Sequence, residues 1–191
     1  MNTQKDAEAQ KLEIEEICRP VMDYTHMLMR LICFFGSTTA LACMVTARQS
    51  GTLNFYGFTL PLHSKWSSSP AFRYLVGMSA IVSAHSFFLL ILSSSRFFRK
   101  SSVISSRTYA WFFFAADQVL AYAMVGAGAA ASSVSNLNRT GVEHTPLPNF
   151  CKPLDMFCNH VAISVGFAFL SSFLLAASAL QEVIWLSYSA V

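Results

Sequence analysis

The 191-residue chain is 54% apolar and only 12% charged, with a formal net charge of +3. A soluble domain carries about 25% charged residues; here the deficit is concentrated in four long stretches, as a bilayer solvent requires. The small positive charge sits on the flanks of those stretches, where it orients a membrane protein rather than binding nucleic acid.

Residues 1–20 are polar and acidic (Asp6, Glu8, Glu13, Glu15, Glu16) and lack the apolar core and cleavage site of a signal peptide. The first apolar helix is therefore expected to be its own targeting signal and to stay in the mature protein. The composition of 1–20 predicts a partly disordered cytoplasmic tail. Leu12, Ile14 and Ile17 leave a short amphipathic helix open. Pro20 suits the start of a new helix.

Residues 21–191 are expected to form a four-helix transmembrane domain, with spans at about 21–47, 71–92, 109–134 and 161–183. Each reaches the roughly 20 residues that cross a hydrocarbon core about 30 Å thick. Helices are required because lipid offers no partner to exposed backbone groups. The fold class is an all-α membrane protein, a four-transmembrane-helix bundle.

Orientation follows from the loops. The 93–108 loop holds Arg96, Arg99, Lys100 and Arg107 and no acid, whereas the other two carry two Lys or Arg each over a greater length. The positive-inside rule puts 93–108 in the cytoplasm, which makes the bundle N-in/C-in. Asn138-Arg139-Thr140 is then a glycosylation sequon on the outer side, close to the end of span three. Cys151 and Cys158 are the cysteines of the outer loops, in a compartment that permits disulfides. A bridge between them would contribute about 2–3 kcal/mol in the loop-entropy model; the alternative is two free thiols.

Two ionisable residues fall well inside the spans, Arg30 in the first and Asp117 in the third. A charge at mid-bilayer costs about 2.5–3.5 kcal/mol on insertion scales. Both spans run from inside to outside. Counted from Met22 and Tyr109, each charge lies eight residues in, about 12 Å along its helix. An interhelical ion pair is thus expected in one layer. The alternative is Arg30 snorkelling to the headgroups beside a protonated Asp117. His85 in span two falls near the same depth, as a candidate partner of Asp117 or Gln118, and more simply as a structural histidine. His26 is expected at the headgroup interface. A proton relay would need more than the single buried acid read from the sequence, and no Gly/Pro interruption or inverted repeat marks a transporter site.

Span three contains Gly126-Ala127-Gly128-Ala129-Ala130-Ala131, which sets up the small-xxx-small pairs Gly126/Ala130 and Ala127/Ala131. They suit packing inside the bundle, or a self-association face. Tyr109, Trp111 and Phe112 to Phe114 form an aromatic belt at the entry of that span. The Arg96-Phe97-Phe98-Arg99-Lys100 run suits anionic lipid. Cys18 is a juxtamembrane candidate for palmitoylation. No HExxH, GxSxG, CxxC or Walker pattern occurs. The five His and five Cys are scattered, so no metal cluster and no cofactor is expected.

Arg30, the run Pro70-Ala71-Phe72-Arg73-Tyr74-Leu75-Val76, the run Asp117-Gln118-Val119-Leu120-Ala121-Tyr122, the small-residue patch and Cys151/Cys158 carry a resemblance. Together they resemble the Casparian strip membrane domain protein-like family of plants, four-span proteins related in plan to the MARVEL tetraspans. The resemblance covers nearly the whole chain beyond residue 20. It implies a plasma-membrane protein, not an enzyme, that forms homo- and hetero-oligomers. Such a protein builds a scaffold that guides local cell-wall modification with secreted partners. The family's buried Arg and Asp map onto Arg30 and Asp117. The acidic, Phe-rich first outer loop of founding members is absent: residues 54–66 read Asn-Phe-Tyr-Gly-Phe-Thr-Leu-Pro-Leu-His-Ser-Lys-Trp. The expected partners are further copies, related four-span proteins, membrane lipids and secreted wall-modifying proteins, without nucleic acid. A small channel or transporter subunit using the Arg30/Asp117 layer is the competing reading.

Overall fold

The computed structural model describes residues 2–55, 58–99, 107–141 and 151–188. Four helices dominate: α1 (Asn2–Thr46), α2 (Pro70–Arg99), α3 (Arg107–Thr140) and α4 (Asp155–Tyr188). Between α1 and α2 lie two strands, β1 (Arg48–Phe55) and β2 (Phe58–Lys65), and a short 3₁₀ turn, Trp66–Ser68. Each helix packs on its neighbours in sequence, and α4 closes the ring against α1. The plan is up-down-up-down, with both termini at one end.

Four segments are long and apolar enough to cross a membrane: Tyr24–Thr46, Pro70–Ser95, Trp111–Thr140 and Asp155–Ile184. The fourth starts earlier than the expected residue 161 and the third continues past 134. The polar residues at these ends sit on helical turns that already carry an apolar face. The polar segment 1–20 also differs from its expected disorder, because α1 runs unbroken from Asn2 through Pro20. Residues 4–17 hold strong helix formers and no Gly or Pro. Pro20 removes one intrahelical hydrogen bond without ending the helix. The side chains of Cys18, Tyr109 and the 96–100 run lie outside the described residues.

On each helix one line of buried positions advances by alternating steps of three and four, with further buried residues such as Gly36, Met78, Ala127 and Ala179 beside it. On α1 the line is Arg30, Cys33, Ser37, Ala40 and Met44, with Ala47 just past the helix end; on α2 it is Phe72, Leu75, Ser79, Val82, Ser86 and Leu89. On α3 it is Asp117, Ala121, Met124, Gly128 and Ala131; on α4, Val161, Ser164, Ala168, Ser171, Leu175, Ser178 and Glu182. A 3.5-residue repeat keeps one seam facing its partners along the helix, the packing mode of left-handed bundles. The polarity is inverted relative to a water-soluble bundle. Serines and charges point inward, while Phe35, Phe88, Phe112, Tyr122, Phe173 and Leu180 point outward. That arrangement fits hydrocarbon outside, where inward polar groups bond across helices. Ser164 Oγ donates to the Ala40 carbonyl at 2.7 Å, tying α4 to α1.

The hairpin was not foreseen. β1 and β2 pair antiparallel from Arg48↔Lys65 to Phe55↔Phe58. It docks on the start of α4. Gly51 approaches so closely that an added Cβ would stand 3.0 Å from the Pro153 carbonyl oxygen. Leu154 receives the Cys158 N–H, and so caps α4 through its carbonyl. The Phe157 N–H, orphaned at this helix start, donates to Gln49 Oε1 of β1 at 2.8 Å. The cap thus comes from 108 residues away. Cys151 and Cys158 form a disulfide across the same turn, with Cα atoms 5.8 Å apart. Phe72 meets Phe157 edge-on at 6.1 Å beneath it. Replacing Gln49 with alanine should cost about 1 kcal/mol, as for other N-terminal caps. Hydrogen exchange at the Phe157 amide should rise sharply; unchanged exchange would show that the hairpin does not hold α4. At the other connection, α3 ends on Gly141, whose φ of 70° is the left-handed conformation glycine adopts freely.

Candidate functional site

The 3.5-residue seams bring Arg30 of α1, Asp117 of α3 and Glu182 of α4 to one level near the end that holds the termini. All three are buried, at 1%, 0% and 8% exposure. Arg30 Nη1 donates to Asp117 Oδ1 at 2.9 Å, and Nη2 donates to Asp117 Oδ2. This fork spans the diagonal of the bundle. Paired donors in a fixed plane are what a guanidinium offers a carboxylate. Arg30 Nη2 also reaches Glu182 Oε1 at 3.2 Å. One cation thus joins α1 to α3 and to α4.

His85 of α2 completes the ring, with Nε2 2.9 Å from Asp117 Oδ1. His26 Nε2 lies 3.2 Å from Ser178 Oγ and 3.5 Å from Glu182 Oε1. One turn deeper, Ser86 Oγ donates to Cys33 Sγ at 3.5 Å, and Cys33 Sγ donates to the Ser171 carbonyl at 3.7 Å. Every helix contributes a polar side chain to this zone.

Arg30, Asp117 and His85 therefore stand together. Gln118 does not join them: it is the next residue around α3, half-buried, and no hydrogen bond links it to the cluster among the described residues. His26 has partners across the bundle, with Ser178 and Glu182 of α4 opposite it. The reading of a single buried acid is overturned by Glu182. Its signal was present in the sequence: Ser171, Leu175, Ser178 and Glu182 continue the seam of α4 to the helix end. Among the described residues, no group of three His, Cys, Asp or Glu side chains is placed to hold a metal ion.

The small-residue run of α3 is divided by the helix. Ala127, Gly128 and Ala131 face inward, and an added Cβ on Gly128 would stand 3.2 Å from the Phe169 ring. Gly126 and Ala130 face outward, with open space around Gly126. Their outward neighbour Tyr122 is 75% exposed. Asn138 lies half-buried in the last turn of α3, with its sequon threonine exposed.

A ring of four apolar helices around a buried charge layer defines a multi-span membrane protein. The chain belongs to the Casparian strip membrane protein domain family, whose pattern matches residues 19–174. It is 63% identical over 167 residues to CASP-like protein 3A1 of Ricinus communis, covering 87% of this chain and 78% of that protein. It is 57% identical over 165 residues to CASP-like protein 3A1 of Vitis vinifera, covering 86% and 79%. With CASP-like protein 3A1 of Oryza sativa subsp. japonica the identity is 45% over 168 residues, covering 88% and 82%. No solved structure matches the chain.

Proposed function

We propose that this protein is a non-enzymatic scaffold of the plasma membrane, lying N-in/C-in, that assembles with copies of itself and with related four-span proteins. The carrying observation is the Arg30 fork, which uses the charged groups of the layer to fix three helices against one another. A bundle locked in this way presents constant outward faces, as a lattice-forming unit needs. The outward stripe Val119, Tyr122, Gly126 and Ala130 supports self-association, because small side chains let backbones approach closely in lipid. Family membership supports the same reading and extends it to secreted wall-modifying partners and to the surrounding lipids. The disulfide and the Asn138 sequon lie on the hairpin side and agree with an outer location for it.

The competing reading, a small channel or transporter subunit, draws support from the second buried acid, Glu182. Fluorescence recovery after photobleaching of the tagged chain in plant cells separates the two. The scaffold gives patches with incomplete recovery, and a second, differently tagged copy co-purifies. Rapid, uniform and complete recovery, with proton-dependent flux in reconstituted liposomes, would overturn it.

A further inference from the structure

The hairpin turns one face to α4, and its other face carries a pair of like charges. Gln49 and Gly51 of β1 point to the start of α4: Gln49 Oε1 accepts from the Phe157 N–H at 2.8 Å, and a Cβ on Gly51 would meet the Pro153 carbonyl oxygen. Successive side chains of a strand point to opposite faces, so Arg48, Ser50 and Thr52 belong to the other one, and all three are exposed. The register sets Arg48 opposite Lys65, Ser50 opposite His63 and Thr52 opposite Pro61, and these partners are exposed as well. Ser50 Oγ lies 2.9 Å from His63 Nδ1, as two side chains on one face should. Like charges directly opposite each other on a strand pair are destabilising. Among the described residues neither Arg48 nor Lys65 has an ion-pair partner. Arg73 in the first turn of α2, Arg139 in the last turn of α3 and Lys152 just before α4 add to the positive charge of this end, against one acid, Asp155, among the described residues.

We propose that Arg48 and Lys65 form a binding site for the phosphate of an anionic lipid, in the leaflet at the hairpin end of the bundle. Depth commits the site to lipid. Arg48 stands two residues past Thr46, where the first span ends, and Lys65 five residues before Pro70, where the second begins. Two extended residues reach at most about 7 Å, which leaves Arg48 level with a headgroup layer about 5–7 Å thick. The cations thus stand at the foot of the hairpin, where the chain meets the membrane, while Thr52 and Pro61 farther along the ribbon are uncharged. Arg48 offers a planar set of donors that matches phosphate, and Lys65 a compact charge beside it. With Ser50 donating to Nδ1, His63 carries its hydrogen on Nε2 and adds a neutral donor to the same face. A bound phosphate removes the repulsion between the two cations and so holds β1 and β2 in register. The site rests on the part of the proposed function that sets the chain among lipids, and not on its self-assembly or its orientation.

Trp66 follows Lys65 directly, is half-buried, and can report on the site. The test uses the full chain with Trp111→Phe and Trp185→Phe, which leaves Trp66 as its sole tryptophan. One copy is placed in each nanodisc, so failure here leaves the self-assembly reading standing. Quenching of Trp66 by brominated phosphatidylglycerol is compared with quenching by brominated phosphatidylcholine. The anionic lipid should be preferred, and the preference should weaken as salt is raised. Arg48→Gln and Lys65→Gln should each lower it about fivefold, whereas Arg48→Lys, which keeps the charge, should retain most of it. Equal quenching by the two lipids before either cation is replaced overturns the proposal. A preference that neither glutamine variant lowers also overturns it, as does one that Arg139→Gln lowers equally, since the charge of the whole end would then suffice. A chain without lipid preference that binds polygalacturonate through Arg48 and Lys65 overturns it in favour of a soluble acidic polymer.

Discussion

Replacing Arg30 with alanine is expected to destabilise the bundle by at least about 3–5 kcal/mol, the range for removing one partner of a buried ion pair. The loss should exceed that of Asp117→Ala. Without Arg30, Asp117 and Glu182 are both stranded in the interior. Without Asp117, the guanidinium keeps Glu182 at 3.2 Å, and the main damage is one fork of donors left unsatisfied, about 1–3 kcal/mol. The order Arg30 above Asp117 above Glu182→Gln should appear in unfolding titrations of the reconstituted chain and in accumulation in cells. A simple exchange, Arg30→Asp with Asp117→Arg, should recover little, because the new aspartate faces Glu182. Adding Glu182→Gln to the exchange should recover more. Equal losses for all three single variants would contradict a cation shared between two acids.

Leucine in place of Gly36 should give the second large effect. Gly36 is buried on the α1 seam, and a Cβ added there would stand 3.0 Å from Ser171 Oγ on α4. Three more carbons cannot enter a seam made of Cys33, Ser37, Ala40, Ser164 and Ala168 without separating the helices. Overpacking of this kind costs about 1–3 kcal/mol, and the separation also strains the Ser164–Ala40 bond. Gly36→Ala should be far milder, since a hydroxyl can rotate away. Gly77→Leu is the control: with no atom within 4 Å of its added Cβ, its unfolding midpoint should stay near wild type. A Gly36→Leu chain as stable as that control would show that α1 and α4 are not packed at this level.

What the sequence exposed and what it hid have separate physical reasons. The four spans were legible because lipid demands long apolar helices. Arg30 and Asp117 were legible because a mid-span charge is rare and depth can be counted along a helix. Glu182 was hidden by its position, since an acid near the end of an apolar run reads as the polar edge of that run. Only its step of four from Ser178, on a seam of serines, marks it as inward. Gln118 failed because a neighbour in sequence lies about 100° around the helix from Asp117.

The hairpin was hidden by a loop that looked irregular. Its signal was two runs of eight residues separated in sequence by Tyr56-Gly57. The Gln49 cap had no local signature at all, because donor and acceptor are far apart in the chain. The small-residue run of α3 told that close packing occurs, but not that the helix divides it between the bundle interior and the outer face.

Spin labels at Phe173 and Leu175, read by collisional relaxation in bilayers, give the most direct check that these helices cross lipid around a polar interior. Phe173 points outward at 70% exposure and Leu175 inward at 1%. The label at 173 should be accessible to dissolved oxygen and shielded from a water-soluble nickel complex, while the label at 175 should be immobile and shielded from both. A label at 173 that the nickel complex reaches would place water on that face and contradict the bundle described.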